Sequence, residues 1–182
     1  MKSGYVPSPA LVDHANRAVD MADHLVHLHD LAMEAHSIVE FGVRGGVSTW
    51  ALLDGLPADG TYLGIDIADH IYTQSPTFIF KDPRATFIVA DDRTVQMPEH
   101  ADLVMIDSSH EYEHTKQELD IAVRMTPAMI VMHDYLWWSP DPTNPNNWCQ
   151  VHQAVDDWLL TGSYRMGILY FSKWGLLVLV PK

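Results

Sequence analysis

The most informative segment of the chain is Ile38-Val39-Glu40-Phe41-Gly42-Val43-Arg44-Gly45-Gly46-Val47-Ser48-Thr49-Trp50. A short apolar run that carries an acidic residue is followed by three glycines within five positions, and then by an apolar stretch that reaches Leu56. This order predicts a strand, a tight turn and a helix, with glycines that permit positive φ and a close approach to the backbone. In open α/β sheets such turns lie at the carboxyl ends of strands, where ligands bind.

Strands and helices are predicted to alternate outward from this segment. A helix is predicted over 9–34, because Leu11, Ala15, Ala18, Ala22 and Leu25 recur at helical spacing. Apolar runs predict strands over 37–41, 61–67, 85–90, 101–106 and 129–132, and helices over 48–56, 111–125 and 151–160. The segment 68–84 is less regular and can hold a short helix. Ser108-x-x-Glu111 predicts a capping box at the start of the helix over 111–125.

The chain closes with two predicted strands, 164–171 and 175–180, joined by a short turn and therefore paired antiparallel. The predicted fold class is α/β, a doubly wound, mostly parallel seven-stranded sheet with one antiparallel strand. Residues 1–35 are predicted to be an N-terminal helical extension that packs on the sheet edge or over the site, and residues 36–182 the main domain.

Composition narrows the possible partners and compartment. The formal net charge of the 182-residue chain is −13, and its 11 basic residues are scattered singly, which speaks against nucleic acid as a partner. No apolar run approaches the roughly 20 residues that a membrane span needs, and no apolar segment near the N-terminus predicts a signal peptide. Cys149 is the only cysteine, so we expect a reducing compartment, the cytoplasm.

The glycine segment lacks the spacing of nucleotide-phosphate motifs. It is not G-x-G-x-x-G, and no Lys-Ser/Thr pair follows as in a P-loop. Glu40 would repel a pyrophosphate, whereas it would stabilise a cation such as an amino group or a sulfonium. Glycine is also common in such turns for steric reasons alone, so the segment by itself indicates only a nearby ligand.

Acidic residues follow the next two predicted strands. Asp66 comes about 20 residues after the glycines, where a carboxylate can accept from both hydroxyls of a ribose. Asp91 and Asp92 end the third strand, beside the second in a doubly wound sheet, where a carboxylate can accept from an adenine amino group. The alternative for each is a turn or capping aspartate without a ligand.

A second polar group is predicted at the ends of the following two strands. Asp107 and His110 follow one strand, and His133 and Asp134 end the other, so these side chains are expected to converge. Two carboxylates with imidazoles can hold a divalent cation or remove a proton from a hydroxyl. The alternative is a hydrogen-bonded cluster that only positions loops.

Taken together, these motifs resemble class I S-adenosylmethionine-dependent methyltransferases. Glu-x-Gly-x-x-x-Gly with Ser48-Thr49, then Gly64-Ile65-Asp66, Ile106-Asp107-x-x-His110 and His133-Asp134 are similar to the small O-methyltransferases. The segment from Ile106 to His114 and the later Glu118-Leu119 also resemble the cephalosporin-hydroxylase and rhamnosyl O-methyltransferase group. The resemblance covers residues 36–160 and implies an O-methyltransferase with a hydroxyl-bearing sugar or other small molecule as acceptor.

The resemblance also implies residue roles. Glu40 and the glycine-segment backbone would hold the methionine part of the donor, Asp66 the ribose, and Asp91 the adenine amino group. The implied donor-binding set is Glu40, Gly42, Val43, Arg44, Gly45, Ser48, Thr49, Asp66, Ile67, Asp91 and Asp92. The implied metal set is Asp107, His133 and Asp134, with Mg²⁺ as the candidate ion, and the implied catalytic set is Asp107, His110 and His133.

The sequence leaves alternatives for the metal, for Arg44 and for the tryptophans. Metal-using relatives often carry Glu-Asp where this chain has His133-Asp134, so either His133 replaces the glutamate as a ligand or the site works without metal. Arg44 can pair with Glu40 or with the carboxylate of the ligand. Trp137, Trp138 and Trp148 can stack on an acceptor, anchor a lid or form a dimer contact, and Trp174 is assigned to packing.

The sequence disfavours functions other than small-molecule methyl transfer. A nicotinamide-dependent oxidoreductase is disfavoured by the glycine spacing and by Glu40, and a non-catalytic donor-binding module by the second polar group. Asn144-Pro145-Asn146-Asn147 resembles a base-methylation motif only superficially, since it follows the fifth strand and not the fourth. His24, His27 and His29 are expected on a solvated helix face rather than in a metal site. A homodimer is among the expected partners.

Overall fold

The computed structural model describes residues 4–16, 20–137 and 149–182. Within these residues, helices and strands alternate as the sequence predicts. In chain order they are α1 (Pro9–Ala15), α2 (Leu25–Ala32), β1 (Ser37–Phe41), α3 (Val47–Gly55), β2 (Thr61–Asp66), α4 (His70–Gln74), α5 (Thr77–Phe80), β3 (Ala85–Val89), β4 (Leu103–Ile106), α6 (Tyr112–Arg124), β5 (Met129–His133), α7 (Val151–Thr161), β6 (Tyr164–Tyr170) and β7 (Leu176–Pro181). Trp138, Trp148 and residues 144–147, for which the sequence makes predictions, lie outside the described residues.

The seven strands form one sheet in the order β3-β2-β1-β4-β5-β7-β6. The pairs β1–β2, β2–β3 and β4–β5 are parallel, whereas β7 runs antiparallel to both β5 and β6. The predicted fold class, a doubly wound and mostly parallel seven-stranded sheet with one antiparallel strand, is confirmed.

The chain divides into two compact units, residues 1–92 and 93–182. In the first unit, β1 is buried from Ile38 to Phe41, as a strand covered on both faces should be. Helix α2 packs on α3, and the approach is so close that a Cβ on Gly55 would lie 2.3 Å from the carbonyl oxygen of His29. Glycine at this position therefore lets the N-terminal helices lie against α3.

The single helix predicted over 9–34 is wrong, because the described parts form two helices, α1 and α2, with a short 3-10 turn at Ala22–His24. Asn16 caps the end of α1, in keeping with the preference of Asn for caps over helix interiors. The buried face also changes: Met21 is buried, whereas Ala22 is only half-buried.

Two of the three histidines expected on a solvated face, His24 and His29, are buried, and His27 is half-buried. His24 is fully buried, and His29 is 9% exposed and stacks on Tyr5 with ring centroids 3.6 Å apart. These two histidines are therefore packed into the interior around α2, although their polarity predicted that they would be exposed to solvent.

In the second unit, all four residues of β4 are buried, as its apolar run predicts. Helices α6 and α7 pack together, and the indole nitrogen of Trp158 donates to Asp120 at 2.8 Å. The predicted capping box is wrong: Glu111 caps α6 through its backbone only, and the Ser108 hydroxyl donates instead to the buried Glu118. A long-range partner thus replaces the local one.

No helix in the described part of the chain combines the length and the apolar character that crossing a membrane requires.

Candidate active site

The glycine loop joins β1 to α3 through three residues with positive φ: Gly42 (85°), Arg44 (45°) and Gly46 (76°). Gly45 does not use the positive φ that glycine permits, and Arg44 takes that conformation instead. The loop is fixed by two backbone hydrogen bonds, from Gly42 to the carbonyl of Ile65 and from Gly46 to that of Val43, each 2.9 Å long. Its backbone is therefore held in one shape next to the end of β2.

Glu40 lies beneath this loop and is fully buried. Its carboxylate accepts hydrogen bonds from the hydroxyls of Ser48, Thr49 and Tyr62, of which the one from Thr49 measures 2.8 Å. Burial, together with the charge of Glu40, holds the pKa of Tyr62 well above its usual range, so the phenol stays a donor. Ser48, Thr49 and Glu40 thus form one internal network under the start of α3.

Asp66 ends β2 on the other side of the loop. One of its carboxylate oxygens accepts from the backbone N–H of Arg44 at 2.6 Å, and the other accepts from that of Ala68 at 2.9 Å. The guanidinium of Arg44 lies 3.2 Å from Asp20, which is a different partner from the two expected for it, Glu40 or a ligand carboxylate. Asp66 therefore connects the strand end to the glycine loop.

The end of β3 adjoins the end of β2, as expected. Asp66 pairs with Val89, and the N–H of Ala90 donates to the carbonyl of Asp66 at 2.8 Å. Just beyond, Asp91 is half-buried and Asp92 is buried, whereas the side chain of Ile67 is 78% exposed. The first unit thus brings together the ends of β1, β2 and β3 with the residues that the sequence assigned to the donor.

The N-terminal segment lies against the glycine loop. A ring nitrogen of His14 is 2.6 Å from the carbonyl oxygen of Gly45, and Tyr5 donates to Asp54 of α3 at 2.6 Å. Of the two positions expected for residues 1–35, the contact of His14 corresponds to packing over the loop. The domain boundary at residue 35 stays a prediction.

In the second unit, the four predicted residues after β4 and β5 do converge. His110 Nε2 lies 2.7 Å from Asp134 Oδ2 and 3.9 Å from Asp107 Oδ1. His133 Nδ1 lies 3.2 Å from Asp107 Oδ1 and 3.1 Å from Asp134 Oδ2. We call these four residues the Asp-His cluster.

Electrostatic coupling keeps the Asp-His cluster charged. Burial opposes ionisation of Asp107, but His133 and His110 outweigh it and lower the pKa of that carboxyl. Burial likewise disfavours a charged imidazole, yet Asp107 and Asp134 raise the pKa of His110 to about 9 and that of His133 well above its usual range. The pKa of Asp134 is lowered against its own burial by the same two imidazoles.

Two members of the cluster differ in access. The side chain of His133 is 0% exposed and that of His110 17%, so His110 is the imidazole that a bound molecule can reach. Asp134 adopts a left-handed backbone, with φ of 59°, and its buried Oδ1 has no hydrogen-bond partner in the described part of the chain. One oxygen of this buried carboxylate is therefore available to a ligand.

Aromatic residues beside the cluster were only partly predicted. Trp137 makes an edge contact with the ring of His110, with centroids 5.7 Å apart, and a second edge contact with Trp174 at 4.4 Å. Trp174 was assigned to packing, because no sequence signal places it beside Trp137, 37 positions earlier. The antiparallel pairing of β7 with β5 brings the turn before β7 next to the end of β5.

The sequence matches a known family of proteins. A model of the Methyltransf_24 family, described as a methyltransferase domain, matches residues 39–135, just over half of the chain. The chain therefore belongs to this methyltransferase family, and its assignment to the class I S-adenosylmethionine-dependent methyltransferases is confirmed. Family membership favours methyl transfer over the nicotinamide oxidoreductase interpretation. No curated protein matches the sequence.

Solved structures share the fold at low sequence identity. An O-methyltransferase from Bacillus cereus in complex with SAH is 14% identical, with a TM-score of 0.72 over 100% of this chain and 94% of that one. The O-methyltransferase TomG from Streptomyces achromogenes, in complex with SAM, is 18% identical, with a TM-score of 0.75 over 98% and 92%. Cofactor-bound Rv0187 from MTB is 17% identical, with a TM-score of 0.77 over 99% and 93%.

Proposed function

We propose that this methyltransferase transfers a methyl group from S-adenosylmethionine to a hydroxyl of a sugar or other small molecule. The observation that carries this proposal is the Asp-His cluster: two carboxylates and a reachable imidazole gather at the ends of β4 and β5. A hydroxyl is a poor nucleophile and needs a base or a cation, which such a cluster can supply. The O-methyltransferases with the same fold that bind SAM or SAH support the choice of donor.

The first unit would bind the donor. Asp66 keeps accepting capacity on both oxygens for the ribose hydroxyls, and the loop backbone from Gly42 to Gly45 would approach the methionine part. Asp91, with Asp92 and Ile67 nearby, would border the adenine. For Glu40, Ser48 and Thr49 the burial favours an indirect role: their network shapes the loop, and its negative charge favours a cationic donor.

The Asp-His cluster would activate the acceptor. His110 is the better candidate for the base, because the fully buried His133 is out of reach. Since the pKa of His110 is raised to about 9, the neutral imidazole that can accept a proton becomes abundant only as the pH approaches that value. Asp107 and Asp134 hold His110 and His133 in place through their short ion pairs. The protein then aligns the acceptor oxygen for an in-line displacement at the sulfonium methyl, which needs positioning more than further chemistry.

A divalent cation fits the Asp-His cluster. The three candidate ligand residues differ at one position from those expected from the sequence. Asp107, His110 and Asp134 bring ligand atoms within 4.8 Å of one another, and the unpartnered Oδ1 of Asp134 suits a cation. His110 here takes the place given to His133. Because an imidazole belongs to the set, we expect Mn²⁺ or a similar transition ion to bind better than Mg²⁺, which prefers oxygen ligands. When bound, the ion would lower the pKa of a coordinated hydroxyl, and His110 would then be a metal ligand in place of the base.

Calorimetry and a methyl-transfer assay test this function. We expect S-adenosylhomocysteine to bind the purified protein, and absence of heat at millimolar ligand would refute the donor assignment. Asp107→Asn should lower methyl transfer by roughly a hundredfold or more, since general base catalysis contributes about that factor. Donor affinity should stay within about twofold of wild type. Unchanged turnover in Asp107→Asn would contradict the role of the cluster.

Charge and cysteine content support a small-molecule acceptor and a reducing compartment. The net charge of −13 supports a small acceptor over nucleic acid. A reducing compartment, the cytoplasm, is supported by the single cysteine. Cys149 is buried, and burial raises the pKa of its thiol to about 11, so it is neither paired nor reactive.

We also propose a homodimer through the outer strand β6, with a second copy of the chain as the partner. Met166 and Ile168 of β6 are 42% and 49% exposed, and no acidic residue occurs from 158 to 182. Two acidic chains repel each other least through a surface without carboxylates. A bulge breaks the register between Met166 and Ile168, which favours side-chain packing over extension of the sheet.

A further inference from the structure

We propose that Trp137 and Trp174 form an acceptor platform that receives a hydroxylated ring. This inference rests on the proposed function, because the platform would present the hydroxyl of that ring to His110. It deepens that function by naming the acceptor class: a ring with a face that an indole can contact, as opposed to an open-chain alcohol.

The two indoles form a right-angled corner next to the candidate base. Their ring planes meet at 83° with centroids 4.4 Å apart, and Trp137 also contacts the ring of His110 at 5.7 Å. Both indoles are half-buried, so the corner is partly open to solvent. The partly exposed indole faces beside the candidate base suit an incoming ring, because ligand sites are lined mainly by apolar and aromatic side chains with a few polar groups.

A backbone hydrogen bond and a close glycine contact hold the two indoles in this arrangement. The N–H of Leu136 donates to the carbonyl of Trp174 at 2.8 Å, which ties the segment after β5 to the turn before β7. Gly175 has a φ of +79°, and a Cβ there would lie 2.5 Å from Cγ of Leu136. Glycine at this position therefore lets the two tryptophans approach each other.

The chemistry of the corner selects for ring acceptors. Indole surfaces contact both aromatic rings and the C–H faces of sugars, while the carboxylates and His110 provide polar partners for hydroxyls at the ring edge. The Lys173 ammonium lies 4.6 Å from the Trp174 ring centre and places a positive charge at the rim. An open-chain polyol offers hydroxyls without a face, so it should gain little from the platform.

Indole N–H signals in a ¹⁵N-labelled sample test the proposal without requiring turnover. Catechol and methyl β-glucoside are the ring probes, and erythritol is the open-chain probe. We expect one or both rings to shift the Trp137 and Trp174 signals, assigned from the Trp137→Phe and Trp174→Phe variants, and erythritol to leave them in place. Catechol alone would indicate an aromatic acceptor, and the glucoside alone a sugar.

Substitution provides the second measurement. Trp174→Leu should weaken binding of the effective ring probe roughly tenfold, and Trp174→Phe should restore most of it. Trp50→Leu is the matched control, because Trp50 also makes an edge contact with an aromatic ring, Phe78, but belongs to the first unit. Its ring-probe affinity should equal that of wild type. Thermal melting of each variant reports whether it is folded.

Ring binding and S-adenosylhomocysteine binding can fail independently, so the acceptor platform and the methyl donor are tested separately. If S-adenosylhomocysteine binds but neither ring shifts the two signals, or if Trp174→Leu and Trp174→Phe both keep the wild-type ring affinity, the platform is wrong and the donor assignment stands. If the rings bind as described but S-adenosylhomocysteine does not, the platform stands and the methyl donor is wrong.

Discussion

Single acidic residues at the strand ends differ in what they can offer a ligand. Glu40 is enclosed by the hydroxyls of Ser48, Thr49 and Tyr62, whereas Asp66 is half-buried and accepts from two backbone N–H groups. One carboxylate therefore stabilises the interior of the first unit, and the other is placed where a donor can be bound.

Asp66→Asn should weaken binding of S-adenosylhomocysteine by roughly tenfold to a hundredfold, the range expected for loss of hydrogen bonds to a charged group. The amide would also turn an N–H donor toward the N–H of Arg44 or Ala68. Calorimetry measures the change. Asp69→Asn is the control, since Asp69 is exposed and caps α4 without a side-chain hydrogen bond. Equal affinities for both variants would contradict the role of Asp66.

Tyr62→Phe should lower the free energy of unfolding by about 1.5–3 kcal/mol, because it removes one hydroxyl donor from the buried carboxylate of Glu40. Tyr72→Phe is the matched control: Tyr72 is 46% exposed, and its hydroxyl makes only a 3.4 Å contact with the carbonyl of Phe87. Urea denaturation of both variants checks the difference. A loss below about 0.5 kcal/mol in Tyr62→Phe would show that the network is unimportant for stability.

The sequence predicted where the acidic side chains lie better than it predicted their hydrogen-bond partners. The carboxylates at the ends of β1 to β5 could be placed from the alternation of apolar runs and acidic residues. That Tyr62 would donate to Glu40, or Ser108 to Glu118, could not be predicted, because each hydrogen bond joins residues 10 or 22 positions apart and depends on how elements pack.

Among the elements, the glycine loop with α3 is the one whose geometry is most exacting. Gly46 begins α3 in a left-handed conformation, and a Cβ at this position would lie closer than van der Waals contact to Ile71 and Ser75. The sequence located this loop correctly, but glycine spacing alone did not show that Arg44 and not Gly45 would take the third positive φ.

Gly46→Ala should destabilise the protein by about 2–3 kcal/mol, because alanine costs roughly 1–2 kcal/mol in this conformation and its Cβ would lie 2.9 Å from Ile71 Cδ1. Gly45→Ala should change stability by less than about 0.5 kcal/mol. A Cβ on Gly45 meets nothing closer than 3.7 Å. Thermal or urea unfolding compares the two, and similar losses at both positions would contradict this account.

Helices were predicted well where buried residues recur along the whole helix, as in α6 and α7, which pack against each other. The N-terminal prediction failed because the periodicity of small alanines continued past Asn16, while packing on α3 selected Met21 and Leu28 for burial. Alanine contributes little buried area, so its spacing is a weak guide to which face a helix buries.

For the molecule as a whole, the mostly parallel sheet and the antiparallel hairpin followed from the alternation of elements and the connection rules for parallel sheets. Charge is less evenly distributed than the total suggests. All acidic residues precede position 158, so the hairpin of β6 and β7 carries only basic and uncharged residues.

Ile168→Glu should convert the proposed dimer into a monomer, because it places a carboxylate in the acid-free surface of β6. Val89→Glu is the control, since Val89 is 47% exposed on β3, the strand at the opposite edge of the sheet. Light scattering after size-exclusion chromatography gives the masses. A monomeric wild type, or dissociation of both variants alike, would rule out this surface.

The left-handed backbone at Asp134 has a consequence for mutational tolerance. Asparagine and glycine are the other residues that adopt such a conformation readily, so a saturation library at this position should yield abundant protein mainly for Asp, Asn and Gly. Of these three, Asp alone carries the charge that His110 and His133 contact. Selection for protein abundance should therefore recover Asp, Asn and Gly at position 134, whereas selection for turnover should recover Asp. The difference separates what the backbone requires from what the reaction requires.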